Sequence, residues 1–105
     1  MIPCICIDDS NRPNDIPLSK WVKKHDHYHI TYIVVALPQN MLSYSLYEKP
    51  LDESCYPYEY FSASRFAIRE EDIDRFMELV KDCIEIKDIN LEELMNNNNL
   101  TTIKK

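Results

Sequence analysis

The chain has 105 residues, 45% of them apolar, and a net charge of −6, which describes one domain with one core rather than a chain that stays unfolded. It contains no glycine, and this excludes a Walker-type phosphate loop and a dinucleotide fingerprint, both of which need glycine for close backbone approach. No apolar run nears the ~18 residues that span a bilayer, and the acidic balance disfavours non-specific DNA binding, which needs clustered cations.

The excess acid is unevenly placed. Residues 1–50 carry five basic and five acidic side chains, whereas residues 51–105 carry seven and thirteen. The acidic half suits a solvated face or a basic protein partner. Met1 to Ile7 lacks a basic stretch and is too short for a secretory signal, so the expected location is the cytoplasm, where thiols stay reduced. The four cysteines are accordingly read as free thiols. Without glycine, turns that need positive φ fall to Asn and Asp, with Asp9, Asn11, Asn14, Asp26 and Asn40 as candidates.

Taken in order, Ile2 to Ile7 is short, apolar and β-branched and predicts a strand. Asp8 to Pro17 is dense in Asp, Asn and Pro and predicts a loop. Leu18 to Lys24 bridges to the next strand and carries the single tryptophan, Trp21. His27 to Leu37 predicts a long strand whose far half, from Ile33, is apolar on both faces and should be buried. Pro38-Gln39-Asn40 predicts a turn. Leu42 to Tyr47 alternates, with Leu42, Tyr44 and Leu46 on one face and Ser43 and Ser45 on the other, so the two strands make a hairpin. Lys49 to Pro57 predicts a loop, and Tyr58 to Phe66 fits a short strand or a 3-10 turn equally well.

Arg69 to Cys83 is the clearest helix. Ile73, Phe76, Met77, Val80 and Ile84 form one apolar stripe, and Glu70, Glu71 and Asp72 sit where the helix dipole favours acid. On the opposite face, Glu71 with Arg75 and Glu78 with Lys81 are helix-spaced pairs. Asn90 with Glu93 resembles a capping box opening a second short helix through Met95. The expected organisation is a single domain over 1–96, β-rich over 1–68 and helical over 69–96, with a frayed tail over 97–105. The fold class is α+β: a small partly open β-barrel or antiparallel meander followed by one amphipathic helix.

Three stretches carry a resemblance: Cys6-Ile7-Asp8-Asp9-Ser10, Ile16-Pro17-Leu18-Ser19-Lys20-Trp21-Val22-Lys23-Lys24 with Tyr28, and Tyr58-Glu59-Tyr60-Phe61-Ser62-Ala63-Ser64-Arg65-Phe66. Over residues 4–68 the chain resembles small proteins of bacteriophages and gut Bacteroides-type bacteria that look like SH3-like barrels. The resemblance implies that Trp-Val-Lys-Lys, a turn and a Tyr-led strand form a diverging turn. It also implies a bacterial host cytoplasm and a host or viral protein as partner, with an inhibitory or host-takeover role. The family usually has glycine after the two lysines and in the hairpin, where this chain has His25 and Pro38-Gln39-Asn40. It brings no catalytic residues.

The residues themselves offer several candidate chemistries. His25, His27 and His29 alternate, so on a strand they would share one face at ~7 Å spacing; imidazoles so placed can ligate zinc, copper or nickel, with Cys4 or Cys6 as a third ligand. Cys4 and Cys6 otherwise pack as small hydrophobes, and Cys55 is expected to be the most exposed thiol. Tyr56, Tyr58 and Tyr60 also alternate; tyrosine gives large contact area at low entropy cost and can stack on nucleobases. Arg12, Lys20, Lys23 and Lys24 are the one cationic concentration, and Arg12, Lys20 and Lys24 form a candidate anion site. Asp8 and Asp9 point to opposite sides of an extended chain, so no general acid–base pair emerges. The leading expectation is a non-enzymatic binding protein that engages a protein through Tyr56, Tyr58 and Tyr60, with Trp21, and uses no cofactor. A nucleotide-sequestering or nucleic-acid-associated module is the alternative, a metal-binding strand is the third reading, and a second copy of the chain stays open as a partner.

Overall fold

The computed structural model describes residues 1–36, 41–83, 96 and 100–103. Over the described residues the chain is α+β: a six-stranded mixed sheet with an α-helix between its fifth and sixth strands. The strands are β1 (Ile2–Cys6), β2 (His27–Ala36), β3 (Met41–Leu46), β4 (Phe61–Ser62), β5 (Phe66–Arg69) and β6 (Thr101–Ile103), in the spatial order β4-β3-β2-β1-β5-β6. The helix α1 spans Ile73–Cys83. Pairing is antiparallel from β4 through β5, and β6 runs parallel to β5.

The expected hairpin is present as β2 and β3, with Ile33 opposite Tyr44 and Ala36 opposite Met41. Its turn, with Leu37 and Asn40, lies outside the described residues, as do Ile84 and the second helix expected over 90–95. Leu42, Tyr44 and Leu46 point inward as their alternation predicts. In β2 the alternation breaks. Ile30 faces Leu46 and Tyr32 faces Ser45, so two residues of β2 oppose one of β3 and Thr31 is the extra one. A bulge of this kind reverses which parity faces the core. Before it Tyr28 and Ile30 are buried; after it Tyr32 is exposed and Ile33 is buried. The apolar run from Ile33 is not buried on both faces, since Val34 and Val35 are only half-buried.

Tyr58 to Phe66 resolves into both alternatives: β4, a 3-10 turn at Ala63–Arg65, then β5. This connection shapes the sheet. β4 pairs with β3, whereas β5 pairs with β1. Four strand spacings of ~4.8 Å would hold β4 and β5 ~19 Å apart in a flat sheet, yet a 3-10 turn advances only ~2 Å per residue. The sheet is therefore strongly curled, with its concave face as the core.

That core takes Cys4 and Cys6 from β1, Tyr28, Ile30 and Ile33 from β2, the β3 trio, Phe61, and Phe66 and Ile68 from β5. Phe66 is its hub, with ring centroids 5.9 Å from Tyr44, 6.3 Å from Phe61 and 6.4 Å from Tyr28. The helix contributes Phe76 and Val80 from the predicted stripe, and Phe76 meets Tyr44 edge-on at 6.0 Å. The helix starts later than expected: Arg69 ends β5, and Glu70–Asp72 form a 3-10 turn before α1. Asp72 is 5% exposed and accepts from Arg69 Nε at 3.2 Å and Arg75 Nη1 at 3.4 Å, while Arg75 Nη2 donates to the Met1 carbonyl at 3.0 Å. Glu71 meets Arg69 at 3.3 Å, so Arg75 serves Asp72 and not Glu71. The tail expected to fray over 97–105 includes β6, where Thr101 faces Ala67 and Ile103 faces Arg69. Among the described residues no helix is long and apolar enough to cross a membrane.

Candidate functional site

The segment between β1 and β2 is pinned by polar contacts. Arg65 Nη1 donates to the carbonyls of Ser10 at 2.7 Å and Asp8 at 3.2 Å, and its guanidinium lies 4.8 Å from the Trp21 ring centre. Trp21 Nε1 donates to the Asp9 carbonyl at 2.8 Å, and the Asp9 carboxylate accepts from the Lys24 amide at 3.0 Å. The segment closes with a turn in which the Asp26 amide donates to the Lys23 carbonyl at 3.0 Å. His25 holds the third position of that turn at φ 78°, where glycine is favoured. Asn11, at φ 57°, is the other positive-φ residue among those described. Asp9, Asn14 and Asp26 do not take that role.

Trp21 does not join the tyrosine surface. It is 7% exposed and packs on Phe61 at 5.8 Å, because its indole N–H finds a carbonyl and leaves the ring free to be buried. The candidate anion residues do not converge either. Arg12 donates to the Ile16 carbonyl, and Lys20 pairs with Asp52 and donates to Ser54 Oγ at 3.3 Å. A separate groove, about 530 Å³, is lined by Arg12, Lys23 and Lys49 together with Asp9 and Asp26, so two carboxylates offset most of its positive charge.

The three histidines separate. His25 sits in the turn, whereas His27 and His29 lie on the outward face of β2. Cys4, opposite Tyr28, is buried on the other face of the sheet, which removes it and Cys6 as a third ligand. His29 Nδ1 lies 2.5 Å from a Glu48 carboxylate oxygen. Burial opposes ionisation of Glu48, but its hydrogen bonds from His29 hold it below the usual carboxylate range. Among the described residues no three His, Cys, Asp or Glu side chains are placed to hold a metal ion.

The tyrosine segment stands on a rigid base. Asp52 caps a 3-10 turn at Glu53–Cys55, accepting from the Ser54 amide at 2.9 Å. Lys20 and Ser54 together hold the Asp52 carboxyl down at about 2. Cys55, expected to be the most exposed thiol, is fully buried; it pulls the turn onto the core and leaves its neighbours outside. The Tyr58 amide then donates to the Cys55 carbonyl at 2.8 Å. Tyr56 is 75% exposed, Tyr58 40% and Tyr60 38%. Their shared surface arises from a turn and the stretch after it, since β4 begins only at Phe61.

The three rings line a groove of about 690 Å³, with Leu51, Glu53 and Glu59. These last three were not singled out by sequence; the position of Glu59 between two tyrosines is the one signal that marks it. Among the described residues neither Glu53 nor Glu59 forms a side-chain hydrogen bond or ion pair. The groove offers aromatic faces, hydroxyls and unneutralised carboxylates. No family model, no curated protein and no solved structure matches the chain.

Proposed function

We propose that this chain is a small non-enzymatic binding protein with an SH3-like, partly open barrel, and that it engages a protein partner through Tyr56, Tyr58 and Tyr60. The observation that carries the reading is the exposure of three tyrosines around one groove, on a turn anchored by buried Cys55. Exposed aromatics on a rigid base give contact area at low ordering cost. The barrel reading draws support from the strand order, in which β5 returns to β1, and from the curl that the β4–β5 turn imposes. The His25 turn supports it further, since positive φ falls where the resembling proteins carry glycine. By the same resemblance the partner is a host or viral protein in a bacterial cytoplasm, and the outcome of binding is inhibition.

The nucleotide reading has less behind it. Arg12 and Lys20 are committed to partners within the chain, and cations so engaged would have to be released before they could hold a phosphate. The test is an affinity capture from the native host with the wild-type chain and a Tyr56→Ala/Tyr58→Ala variant. Capture of a partner is expected to be lost in the variant while its melting temperature stays within a few degrees, because both rings are exposed. Undiminished capture overturns the assignment of the site.

A further inference from the structure

If the tyrosine groove is the binding surface proposed above, its own residues specify the chemistry of the occupant. Its walls are Tyr56, Tyr58 and Tyr60 with Leu51, and its charged residues are Asp52, Glu53 and Glu59; among the described residues no lysine, arginine or histidine lines it. The three carboxylates are not equivalent. Asp52 already has Lys20 and Ser54 as partners. Glu53 and Glu59 are exposed and, among the described residues, unneutralised. Aromatic faces attract cations through the ring quadrupole, and two unpaired carboxylates beside them add a field of the same preference. An anionic ligand would meet repulsion here, which sets nucleic acid and acidic peptides aside. A purely apolar segment would gain contact with the rings but would draw the carboxylates out of water without a counter-charge.

We infer that the Tyr56/Tyr58/Tyr60 groove takes a segment of a partner protein that carries arginine or lysine, its cation seated against the tyrosine rings and neutralised by Glu53 and Glu59. Arginine fits better than lysine, because a planar guanidinium stacks on rings and bonds a carboxylate through two N–H groups at once. The complementarity is open to solvent on one side, so the interaction is sensitive to salt.

The test selects a displayed library of random peptides against the immobilised full-length chain and sequences the binders. Two variants, Tyr56→Ala/Tyr58→Ala and Glu53→Gln/Glu59→Gln, each checked for an unaltered melting curve, then bind the best selected peptide. Enrichment of arginine or lysine at a fixed position is expected. The tyrosine variant should weaken that peptide by about tenfold or more. The glutamine variant should weaken it by about five- to tenfold in low salt and by less in high salt. If the selected peptides need the tyrosines but are neutral or acidic, or are basic yet indifferent to Glu53→Gln/Glu59→Gln, the cation inference is overturned and the tyrosine surface stands. If the selected peptides ignore the tyrosine substitutions, or none is selected, the surface itself is wrong and both readings fall.

Discussion

Arg65 offers the sharpest test of how the β1–β2 segment is held. Its guanidinium does three things at once: it donates to the Ser10 and Asp8 carbonyls, approaches the Asp8 carboxylate at 3.7 Å, and covers the face of Trp21 at 4.8 Å. Each hydrogen bond is partly open to water, so the two together contribute about 1.5–2 kcal/mol. Stacking on the indole adds about 0.5–1 kcal/mol, and the surface ion pair adds little. Arg65→Ala should therefore cost about 2.5 kcal/mol and lower the melting temperature by about 10 °C for a domain of this size. Arg65→Lys keeps the charge but cannot serve two carbonyls and a ring from one point, so it should recover less than half of that loss. Urea unfolding followed by fluorescence measures the cost and reports on the site directly, since Trp21 is the single tryptophan; its emission should shift to the red in the native state of both variants. A loss within ~0.5 kcal/mol for Arg65→Ala, or full recovery by lysine, would refute the view that geometry rather than charge fixes this segment.

Other consequences are equally direct. His25→Gly should stabilise the fold by about 0.5 kcal/mol, because relief of ~1–2 kcal/mol of left-handed strain outweighs the entropy that glycine adds to the unfolded chain; a lower melting temperature would count against the turn geometry. Asp52, held at about 2 against ~3.9 in an unfolded chain, adds stability that is fully present above the unfolded value and disappears as pH falls through the folded one. A carbon-detected NMR titration should place its midpoint near 2, and Lys20→Met should raise it part of the way back, with Ser54 still donating; an unmoved midpoint would contradict the pair. Burial pushes the Cys4 thiol up to about 12 and also raises Cys6, and Cys55 is fully buried while Cys83 is half-buried. Iodoacetamide under native conditions should label Cys83 well before the other three, as followed by mass spectrometry, and prompt labelling of Cys55 would show that the tyrosine turn is not anchored as described.

Much of the sheet was legible because period-two patterns survive in short strands. The β3 alternation reads directly into its buried face, and the Phe76–Val80 stripe reads into the helix. The Thr31 bulge was not legible. Ile30-Thr31-Tyr32-Ile33-Val34-Val35 is β-branched or aromatic throughout, so only the Thr31 hydroxyl, which donates to the Ser45 carbonyl, sits where the parity changes, and a threonine suits a regular strand equally well; the shift is set by pairing with Ser45 and Leu46. The burial of Cys55 and Trp21 was hidden for a related reason. Both sit in non-repeating segments, where facing in or out depends on distant partners such as Phe61 and Asp9. The tyrosines were marked by their spacing and by the contact chemistry of their residue type, and the groove forms because the capped turn exposes all three rings. Asp72 was legible only as an acid at a helix start; its burial between Arg69 and Arg75 needs β5, α1 and the Met1 carbonyl in place together.

The brief link from Tyr60 through β4 to Arg65 has a mechanical meaning. The residues that would grip a ligand and the residue that clasps the far segment are neighbours along one short stretch of backbone, and that stretch also draws β4, at one edge of the sheet, toward β5 beyond β1. A guest that immobilises Tyr60 thereby tightens the seam of the whole molecule, so occupancy should slow the exchange of amide hydrogens around Asp8 and Ser10, on the other side of the clasp and out of the guest's reach.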